Sequence, residues 1–294
     1  MELKNLESFI YVAELGSFTA AAARLGYTQS TISFQIRQLE RELGTQLFER
    51  IRHTVRLTAK GRELLKLAHQ MMQTASDIRR TAGEGESLQG TVRIAMADSL
   101  CTWLFCRHLA DFHKRYPQIS LTVVSGRTED MFRMMNQNQV DMVYTLDGHI
   151  YDSQYVTVME APAAVSFIAA ADSEIGKKRR VTVEDLKKEP LILTEKDISY
   201  RQLLDRQLAR TSQELSPYLE VANTGLICQL VEQGAGISFL PDFVTDAAVA
   251  AGRVARLHIP QLKVDIWKQL LYHRDKWVSP EMQAVMGELA AAGQ

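Results

Sequence analysis

The stretch "GYTQSTISFQIRQLERELG", residues 26–44, has the spacing of a helix but only a narrow apolar stripe. Aliphatic residues recur at steps of four, three and four, which predicts a single buried face. They are Ile32, Ile36, Leu39 and Leu43. The opposite face carries Ser30, Ser33, Phe34, Arg37 and Arg41. An ordinary solvated face is rich in long charged side chains, so this mixture of hydroxyls, a phenyl ring and arginines indicates a face that binds a partner.

The residues before this helix predict a helix-turn-helix. Asn5 is expected to cap a first helix that ends at Gly16, and Ser17 to cap a second, "FTAAAARL". Gly26 ends the second helix, and Thr28 caps the third within three residues. Two helices joined by so short a glycine-containing turn present the second one outward. Its first turns then carry short donors and acceptors that can reach base edges and phosphates. They are Thr28, Gln29, Ser30 and Ser33.

The stretch "ERIRHTVRLTAKG", residues 49–61, predicts a basic hairpin beside this helix. Arg50 and Arg52 lie on its first strand, His53 and Thr54 form the turn, and Thr58 is expected to cap the next helix. Cations on such a hairpin suit the sugar–phosphate backbone or the minor groove of DNA. A polar helix and a basic hairpin together predict a DNA-binding module more strongly than either alone.

Residues 17–61, "SFTAAAARLGYTQSTISFQIRQLERELGTQLFERIRHTVRLTAKG", resemble the DNA-binding module of LysR-type transcriptional regulators without a gap. The Ala-rich helix, "TQSTIS", "LERELGTQLFER" and "LTAKG" carry the resemblance. Carried over by position, it places contacts with double-stranded operator DNA on nine residues. They are Thr28, Gln29, Ser30, Ser33, Phe34 and Arg37, with Arg50, Arg52 and His53 in the hairpin. Phe34 departs from the family pattern, where a basic residue is frequent, and either meets a thymine methyl or sugar or packs against its own module.

Charge is distributed unevenly along the chain. Residues 24–62 contain eight basic and three acidic residues, a net charge of +5, whereas the whole chain of 294 residues has a formal net charge of −1. A small basic module on an acidic body is typical of a regulator with one DNA-facing end, although a solvated charged surface would give the same count.

Composition predicts a cytoplasmic protein. The chain is 46% apolar and 23% charged, and no run approaches the roughly 18 apolar residues that a membrane span needs. The first residues, "MELKNLESFIYVAELG", lack the basic start of a secretory signal. Three cysteines, Cys101, Cys106 and Cys228, form neither a disulfide framework nor a zinc motif. No membrane partner and no cofactor are predicted.

A long helix is expected after Thr58. Leu64, Ala68, Met71, Ala75, Ile78 and Ala82 alternate steps of four and three, which is the seam of a coiled coil. Another domain lying over the helix could bury this seam, but pairing with the same helix of a second chain is favoured. The family resemblance also implies a linker helix that makes a homodimer. "GEGESLQG", residues 83–90, ends the helix as a hinge.

From residue 91 the sequence alternates strands and helices, which predicts an α/β domain with mostly parallel sheets. The family's effector domain resembles a periplasmic binding protein with two lobes, and the chain crosses between them twice. We therefore expect a winged helix-turn-helix domain at 1–61, a dimerising linker helix and hinge at 62–90, and an effector-binding domain at 91–294. Lobe one would comprise 91–162 and 268–294, and lobe two 163–267.

Ligands of such folds bind at the carboxyl ends of strands, against helix N-termini. Four segments in such positions offer hydroxyls, an amide and a cation to one cleft: "ADSLCT", "SGRT", "TEKDISYR" and "ANTG". Singly, each side chain is as consistent with a helix cap or a solvated loop. Together they predict a small carboxylate or other polar anion as effector. The residues are Ser99, Thr102, Ser125, Thr194, Ser199, Arg201, Asn223 and Thr224.

Cys101, within the first of these segments, offers an alternative mechanism. A thiol near a helix start can have a lowered pKa and sense oxidants or electrophiles. A small buried apolar role is the commoner one for such a cysteine and is favoured here.

Two other functional classes fit the sequence less well. An enzyme is disfavoured because no phosphate loop, dinucleotide turn, nucleophile elbow or HExxH helix occurs, and the seven histidines are scattered. A solute-binding protein would account for residues 91–294 but not for the DNA module. The resemblance further implies tetramers through the effector domains and contact with RNA polymerase.

Overall fold

The computed structural model describes residues 1–51, 54–81 and 88–293. Arg52 and His53 of the predicted hairpin, Ala82 of the predicted seam and most of the predicted hinge lie outside them, as does the side chain of Arg50. The chain divides into two compact units. Unit one comprises Met1–Gly90 and Asp275–Ala284, and unit two comprises Thr91–Arg274 and Val285–Gln294.

Unit one begins with three helices: α1 (Leu3–Leu15), α2 (Phe18–Leu25) and α3 (Gln29–Leu43). The Ser17 hydroxyl accepts from the Ala20 N–H, and the Thr28 hydroxyl accepts from the Thr31 N–H, each at 3.2 Å, so both predicted caps are confirmed. The predicted Asn5 cap is wrong, because α1 already starts at Leu3 and Asn5 is buried within it.

A hairpin and a long helix follow: β1 (Phe48–Ile51), β2 (Thr54–Leu57) and α4 (Ala59–Thr81). The strands pair antiparallel, with Phe48 opposite Leu57, which confirms the predicted hairpin. The Thr58 hydroxyl accepts from the Gly61 N–H at 2.9 Å and so caps α4 as predicted. The Glu40 carboxylate accepts from the Leu47 N–H at 2.8 Å, which ties α3 to the hairpin.

The core of unit one buries Ile32, Ile36 and Leu39 of α3 completely, as their spacing predicts. Leu43 does not belong to this stripe: it is 40% exposed, because it is the last residue of α3 and the chain turns away at Gly44, which has φ of 62°.

The apolar residues of α4 divide between two faces. Leu64 and Ala68 of the predicted seam pack into the core of unit one instead of lying free. Leu67, Met71 and Ile78 are exposed. Since each residue turns a helix by about 100°, these three lie within about 40° of one another. We call Leu67, Met71 and Ile78 the α4 stripe.

The remaining elements belong to unit two, except that Gly90, at the start of the next strand, and residues 280–284, at the start of the last helix, belong to unit one. In chain order the elements are β3 (Gly90–Met96), α5 (Asp98–Arg115), β4 (Ile119–Ser125), α6 (Thr128–Asn136), β5 (Met142–Asp147), β6 (Tyr155–Ala163), β7 (Val165–Ala170), α7 (Val183–Leu186), β8 (Ile192–Leu193), α8 (Ser199–Ala209), β9 (Leu219–Glu220), α9 (Thr224–Glu232), β10 (Ser238–Pro241), α10 (Asp242–Ala250), β11 (Val254–Leu257), β12 (Ile266–His273) and α11 (Pro280–Gly293).

These strands form two lobes. Lobe one is built on a five-stranded sheet in the order β4-β3-β5-β12-β6, and lobe two on a three-stranded sheet, β10-β7-β11, with the pair β8-β9. The chain leaves the larger sheet after Ala163 and returns to it at Ile266. Lobe two therefore lies between two crossings of the chain.

The sheets are mixed, so the expectation of mostly parallel sheets is wrong. β3 and β5 are parallel, as are β8 and β9. β12 pairs antiparallel with both β5 and β6, and β10 and β11 both pair antiparallel with β7. In the larger sheet the cause is the second crossing, because the returning strand β12 enters between β5 and β6 in the opposite direction.

Within the described residues, no helix is both long and apolar enough to span a membrane.

Gly61 is fixed by the close approach of α4 to the hairpin. A Cβ atom at this position would lie 2.3 Å from the Leu47 carbonyl oxygen. We expect Gly61→Ala to lower the free energy of unfolding by about 1–3 kcal/mol, because the backbone must move to admit the methyl group. Denaturant unfolding measures the change.

Gly287→Ala is the matched control. A Cβ at this exposed position of α11 meets no atom within 4 Å, so the same substitution should stabilise by about 0.5–1 kcal/mol through helix propensity. Equal effects of the two substitutions would contradict the close approach.

Candidate functional site

The exposed face of α3 carries most of the predicted DNA contacts of the helix. Thr28, Gln29, Ser30, Phe34 and Arg37 are exposed. All five are therefore accessible on the outer surface of α3 or at its N-cap. Ser33 is the exception, since it is only 7% exposed.

Ser33 supports its neighbour instead of projecting outward. The Gln29 side-chain amide donates to the Ser33 hydroxyl at 2.8 Å, one turn along the helix. The Thr28 hydroxyl is 2.8 Å from that of Ser30 and 2.9 Å from that of Thr31. These bonds restrict the rotamers of the polar residues at the helix start, so less conformational entropy is lost when they bind.

Phe34 does not pack against its own module, because its side chain is 61% exposed. It lies three residues before Arg37, so the two share one part of the helix surface. A large apolar ring that is exposed beside a cation favours contact with a partner.

The hairpin that follows α3 also contains basic residues. Arg50 belongs to β1, and Arg56 is an exposed residue of β2, paired in register with Glu49. Arg56 was not among the predicted contacts, although its place in the basic hairpin is visible in the sequence.

Unit two contains a cavity of about 250 Å³ between its lobes. Lobe one contributes the start of α5 at Asp98 and Ser99, and the segment from Ser125 to Thr128 after β4. Lobe two contributes the loop and helix start from Glu195 to Tyr200, together with Ala222 and Thr224. Four of the predicted effector-binding residues line it: Ser99, Ser125, Ser199 and Thr224.

The other predicted effector residues lie off the cavity wall. Thr102 is exposed, one turn beyond Ser99 on α5. The Asn223 side chain caps α9, accepting from the Leu226 N–H at 2.8 Å. Thr194 is buried behind the wall, and Cys101 is partly buried near Ser125.

Arg201 is engaged within lobe two and is removed from the effector-binding set. Its side chain is 2% exposed, and its Nε donates to the Asp205 carboxylate at 3.0 Å. Its Nη1 donates to the Thr194 carbonyl at 2.9 Å and lies 3.5 Å from the Glu220 carboxylate. Burial and these partners hold the Arg201 guanidinium inside lobe two, away from the cavity wall.

Four helices begin at the cavity: α5 and α6 from lobe one, α8 and α9 from lobe two. The N-cap residues of α5, α6 and α8 are Ala97, Arg127 and Ile198, and none of them makes a side-chain cap. The first N–H groups of a helix have no partner within the helix and carry its positive dipole end. Three uncapped helix starts around one cavity favour an anion there.

Arg127 is a cation of the cavity wall that was not among the predicted effector-binding residues. Its Nε donates to Asp130 at 2.9 Å, and its Nη1 donates to Asp197 at 3.3 Å. Because Arg127 belongs to lobe one and Asp197 to lobe two, this ion pair joins the lobes. A basic residue directly between a strand and a helix start was the signal in the sequence.

Burial raises the pKa of the Cys101 thiol, and the nearby Asp98 carboxylate raises it further, while a hydrogen bond with Ser125 opposes the shift. A thiol with a raised pKa holds less thiolate at neutral pH than an ordinary cysteine, and thiolate is the form that oxidants and electrophiles attack. The alternative of a sensing Cys101 therefore gains no support from its environment.

Within the described residues, no three His, Cys, Asp or Glu side chains cluster as metal ligands would.

Comparison with known families decides the class of the protein. The family described as "Bacterial regulatory helix-turn-helix protein, lysR family" matches residues 3–62, and "LysR substrate binding domain" matches residues 85–294. The chain belongs to the LysR-type transcriptional regulator family. The resemblance read from residues 17–61 is thereby confirmed.

Relatives within this family match along most of the chain. An uncharacterized HTH-type transcriptional regulator of Bacillus subtilis, YwqM, is 32% identical over 286 residues, which is 97% of each chain. The regulator MetR of Escherichia coli is 32% identical over 255 residues, covering 86% of this chain and 79% of MetR.

Solved structures show the same fold. CrgA, a LysR-type regulator from Neisseria meningitidis, superposes with a TM-score of 0.60 at 22% identity over all of both chains. A full-length OxyR variant from Pseudomonas aeruginosa has a TM-score of 0.60 at 21% identity, covering 99% of this chain and 94% of OxyR.

As a LysR-type regulator, the protein is a DNA-binding transcription factor with an effector-binding domain, and it is not an enzyme. The predicted fold class, a helix-turn-helix module followed by an α/β effector domain, is also confirmed. Members of the family bind DNA and small-molecule effectors and form oligomers.

Proposed function

We propose that this regulator reads operator DNA in the cytoplasm with the exposed face of α3 and the adjacent hairpin, and that a small anionic effector bound between the lobes of unit two modulates that binding or promoter activation. In this proposal, residues 1–61 bind DNA, residues 62–90 form the dimerising linker helix and hinge, and residues 91–294 bind the effector. The convergence of uncapped helix starts from both lobes on one cavity that also contains Arg127 carries the proposal.

On the DNA, Gln29 and Arg37 would contact base edges, and Phe34 a thymine methyl or sugar. The hairpin cations, Arg50, Arg52 and His53 with Arg56, would contact phosphates or the minor groove. The short hydroxyl side chains Thr28 and Ser30 at the helix start suit phosphate oxygens.

We expect Gln29→Ala to reduce discrimination between operator and random DNA by about 1–3 kcal/mol, because a bidentate base contact is lost. Arg56→Ala should instead weaken binding to both DNAs and lower the salt slope by about one, since a hairpin cation neutralises a phosphate. Fluorescence anisotropy titrations at several salt concentrations measure both quantities.

Ser33→Ala provides the internal control for this division. Ser33 acts through Gln29, so the double variant Gln29→Ala/Ser33→Ala should lose no more discrimination than Gln29→Ala alone. Additive losses would mean that Ser33 contacts DNA independently.

For assembly, we propose that the α4 stripe pairs with the same stripe of a second chain and joins the two DNA-binding modules. Leu67, Met71 and Ile78 are large apolar side chains exposed along one line of a helix. Their spacing of four and seven residues is that of a coiled-coil seam. Tetramers through the effector domains and contact with RNA polymerase are proposed on family resemblance.

The variant Met71→Asp/Ile78→Asp should weaken dimerisation more than about a hundredfold, because two carboxylates on each chain would have to be buried in the seam. Analytical ultracentrifugation of the full chain measures the dissociation constant. Lys66→Gln, at an exposed position on another face of α4, also makes the chain more negative but should leave the dimer intact. A dimer of wild-type affinity in the double aspartate variant would refute the seam.

For the effector, closure of the two lobes requires a ligand that meets donors from both, because only a ligand with greater affinity for the closed state shifts the equilibrium. Ser99, Ser125 and Arg127 from lobe one and Thr224 from lobe two satisfy this condition, whereas the Ser199 hydroxyl already donates to the Leu146 carbonyl of lobe one. We propose that the anionic group lies at the uncapped helix starts.

Thr224→Val should lower effector affinity roughly tenfold to a hundredfold, because a buried hydroxyl partner is lost at nearly constant volume. Thr102→Val, the same change at an exposed position off the cavity wall, should leave the affinity unchanged. Isothermal titration calorimetry with carboxylic acids selected by thermal-shift screening of the full-length protein gives the affinities.

A variant that fills the cavity tests the location of the effector site more directly. Gly126 lines the cavity, and a Cβ there meets no atom within 4 Å, so Gly126→Leu narrows the cavity without a backbone clash. Binding should be abolished, while Gly148→Leu, where a Cβ is equally unhindered but off the wall, should bind normally. Normal binding in Gly126→Leu would place the effector site elsewhere.

A further inference from the structure

The wall of the cavity has an excess of negative charge. Asp98, Glu195 and Asp197 contribute three carboxylates, and Arg127 contributes the one cation among the lining residues that the structure describes. The other polar side chains of the wall are uncharged hydroxyls. An effector that carried only negative charge would therefore meet more carboxylates than cations.

The single cation is already shared between two carboxylates. Arg127 donates to Asp130 at 2.9 Å and to Asp197 at 3.3 Å. Within the described part of the chain, by contrast, neither the Asp98 nor the Glu195 carboxylate has a hydrogen bond or an ion pair. Two carboxylates on facing lobes are thus left without a cation.

Helix stabilisation accounts for only part of this arrangement. Asp98 is the first residue of α5, where the helix dipole favours a negative charge. Glu195 lies in the loop four residues before α8 begins, beyond the reach of that effect. Its exposed carboxylate at the wall has no evident structural role.

Tyr200 and Thr194 keep their hydroxyls behind this wall. Tyr200 lines the cavity at 3% exposure, and its buried hydroxyl interacts with the buried hydroxyl of Thr194. The charged side chains of the wall therefore decide which class of ligand the cavity suits.

We propose that the effector is a small zwitterion, an amino acid in which a carboxylate meets the uncapped helix starts and Arg127 while the ammonium group lies against Asp98 and Glu195. This inference rests on the proposed effector site. A cavity of about 250 Å³ is smaller than the roughly 300–1,000 Å³ of pockets for drug-sized ligands, which favours a single amino acid. The ammonium group has three N–H donors, and the Asp98 and Glu195 carboxylates can accept them.

Matched triplets of compounds test the charge requirement. Each standard amino acid is titrated calorimetrically into the full-length protein beside its deaminated carboxylic acid and its decarboxylated amine. We expect at least one amino acid to bind about tenfold more tightly than either counterpart, because each counterpart leaves one set of charged groups unpaired.

Variants of the two unpaired carboxylates identify their part in this preference. Asp98→Asn and Glu195→Gln should each weaken amino acid binding about tenfold and change binding of the deaminated acid by less than about twofold. Asp172→Asn and Glu174→Gln make the same changes at exposed positions off the wall and should alter neither. Thermal unfolding without ligand checks that each variant is folded.

The outcomes separate this inference from the effector site itself. The zwitterion is overturned if a deaminated acid binds as tightly as its amino acid, if no amino acid binds, or if both carboxylate variants keep the wild-type preference. In the first case, loss of that binding in Gly126→Leu would still support the proposed cavity. An amino acid that binds Gly126→Leu normally would instead refute the cavity.

Discussion

The unpaired N–H groups at helix N-termini are the constraint on which both functional surfaces depend. Every helix leaves about four such groups without an intrahelical partner. In unit one, the chain satisfies part of this need itself, through Ser17, Thr28 and Thr58. In the cavity of unit two, α5, α6 and α8 start without a side-chain cap. In our proposal, the uncapped starts of α5, α6 and α8 leave backbone donors for the effector.

The local signals of the sequence were sufficient to predict the DNA-binding module. Caps, helix-ending glycines and the turn of a hairpin act within a few residues, so Ser17, Thr28 and Thr58 were read correctly. Gly61 also has a local cause, but the Leu47 carbonyl that requires it lies on a different element. Only the folded chain shows that contact.

The cavity was less predictable because its wall depends on tertiary placement. Only the first turn of each helix reaches it, which separates Ser99 from Thr102 on the same helix. Arg127 and Arg201 both belong to segments that were predicted to bind the effector, and burial determines which of the two lies at the cavity wall. Arg201 is enclosed by Asp205 and Glu220, whereas Arg127 lies at the wall. Periodicity cannot distinguish a buried, paired arginine from an accessible one. The mixed sheet was missed for a related reason, since the direction of β12 follows from the second crossing.

The interlobe ion pair is suited to replacement by a ligand. Arg127 and Asp197 have side chains that are 57% and 41% exposed, and solvent screening makes the contribution of such a pair to stability small. Such a pair can orient the two lobes without locking them. A ligand carboxylate that took the place of Asp197 beside Arg127 would leave the Asp197 carboxylate free for a cation. That exchange replaces one charge pair by another and leaves one more carboxylate of the wall without a cation, unless the ligand also brings a positive group. The Arg127–Asp197 pair is therefore consistent with the zwitterion that we propose from the charge of the wall.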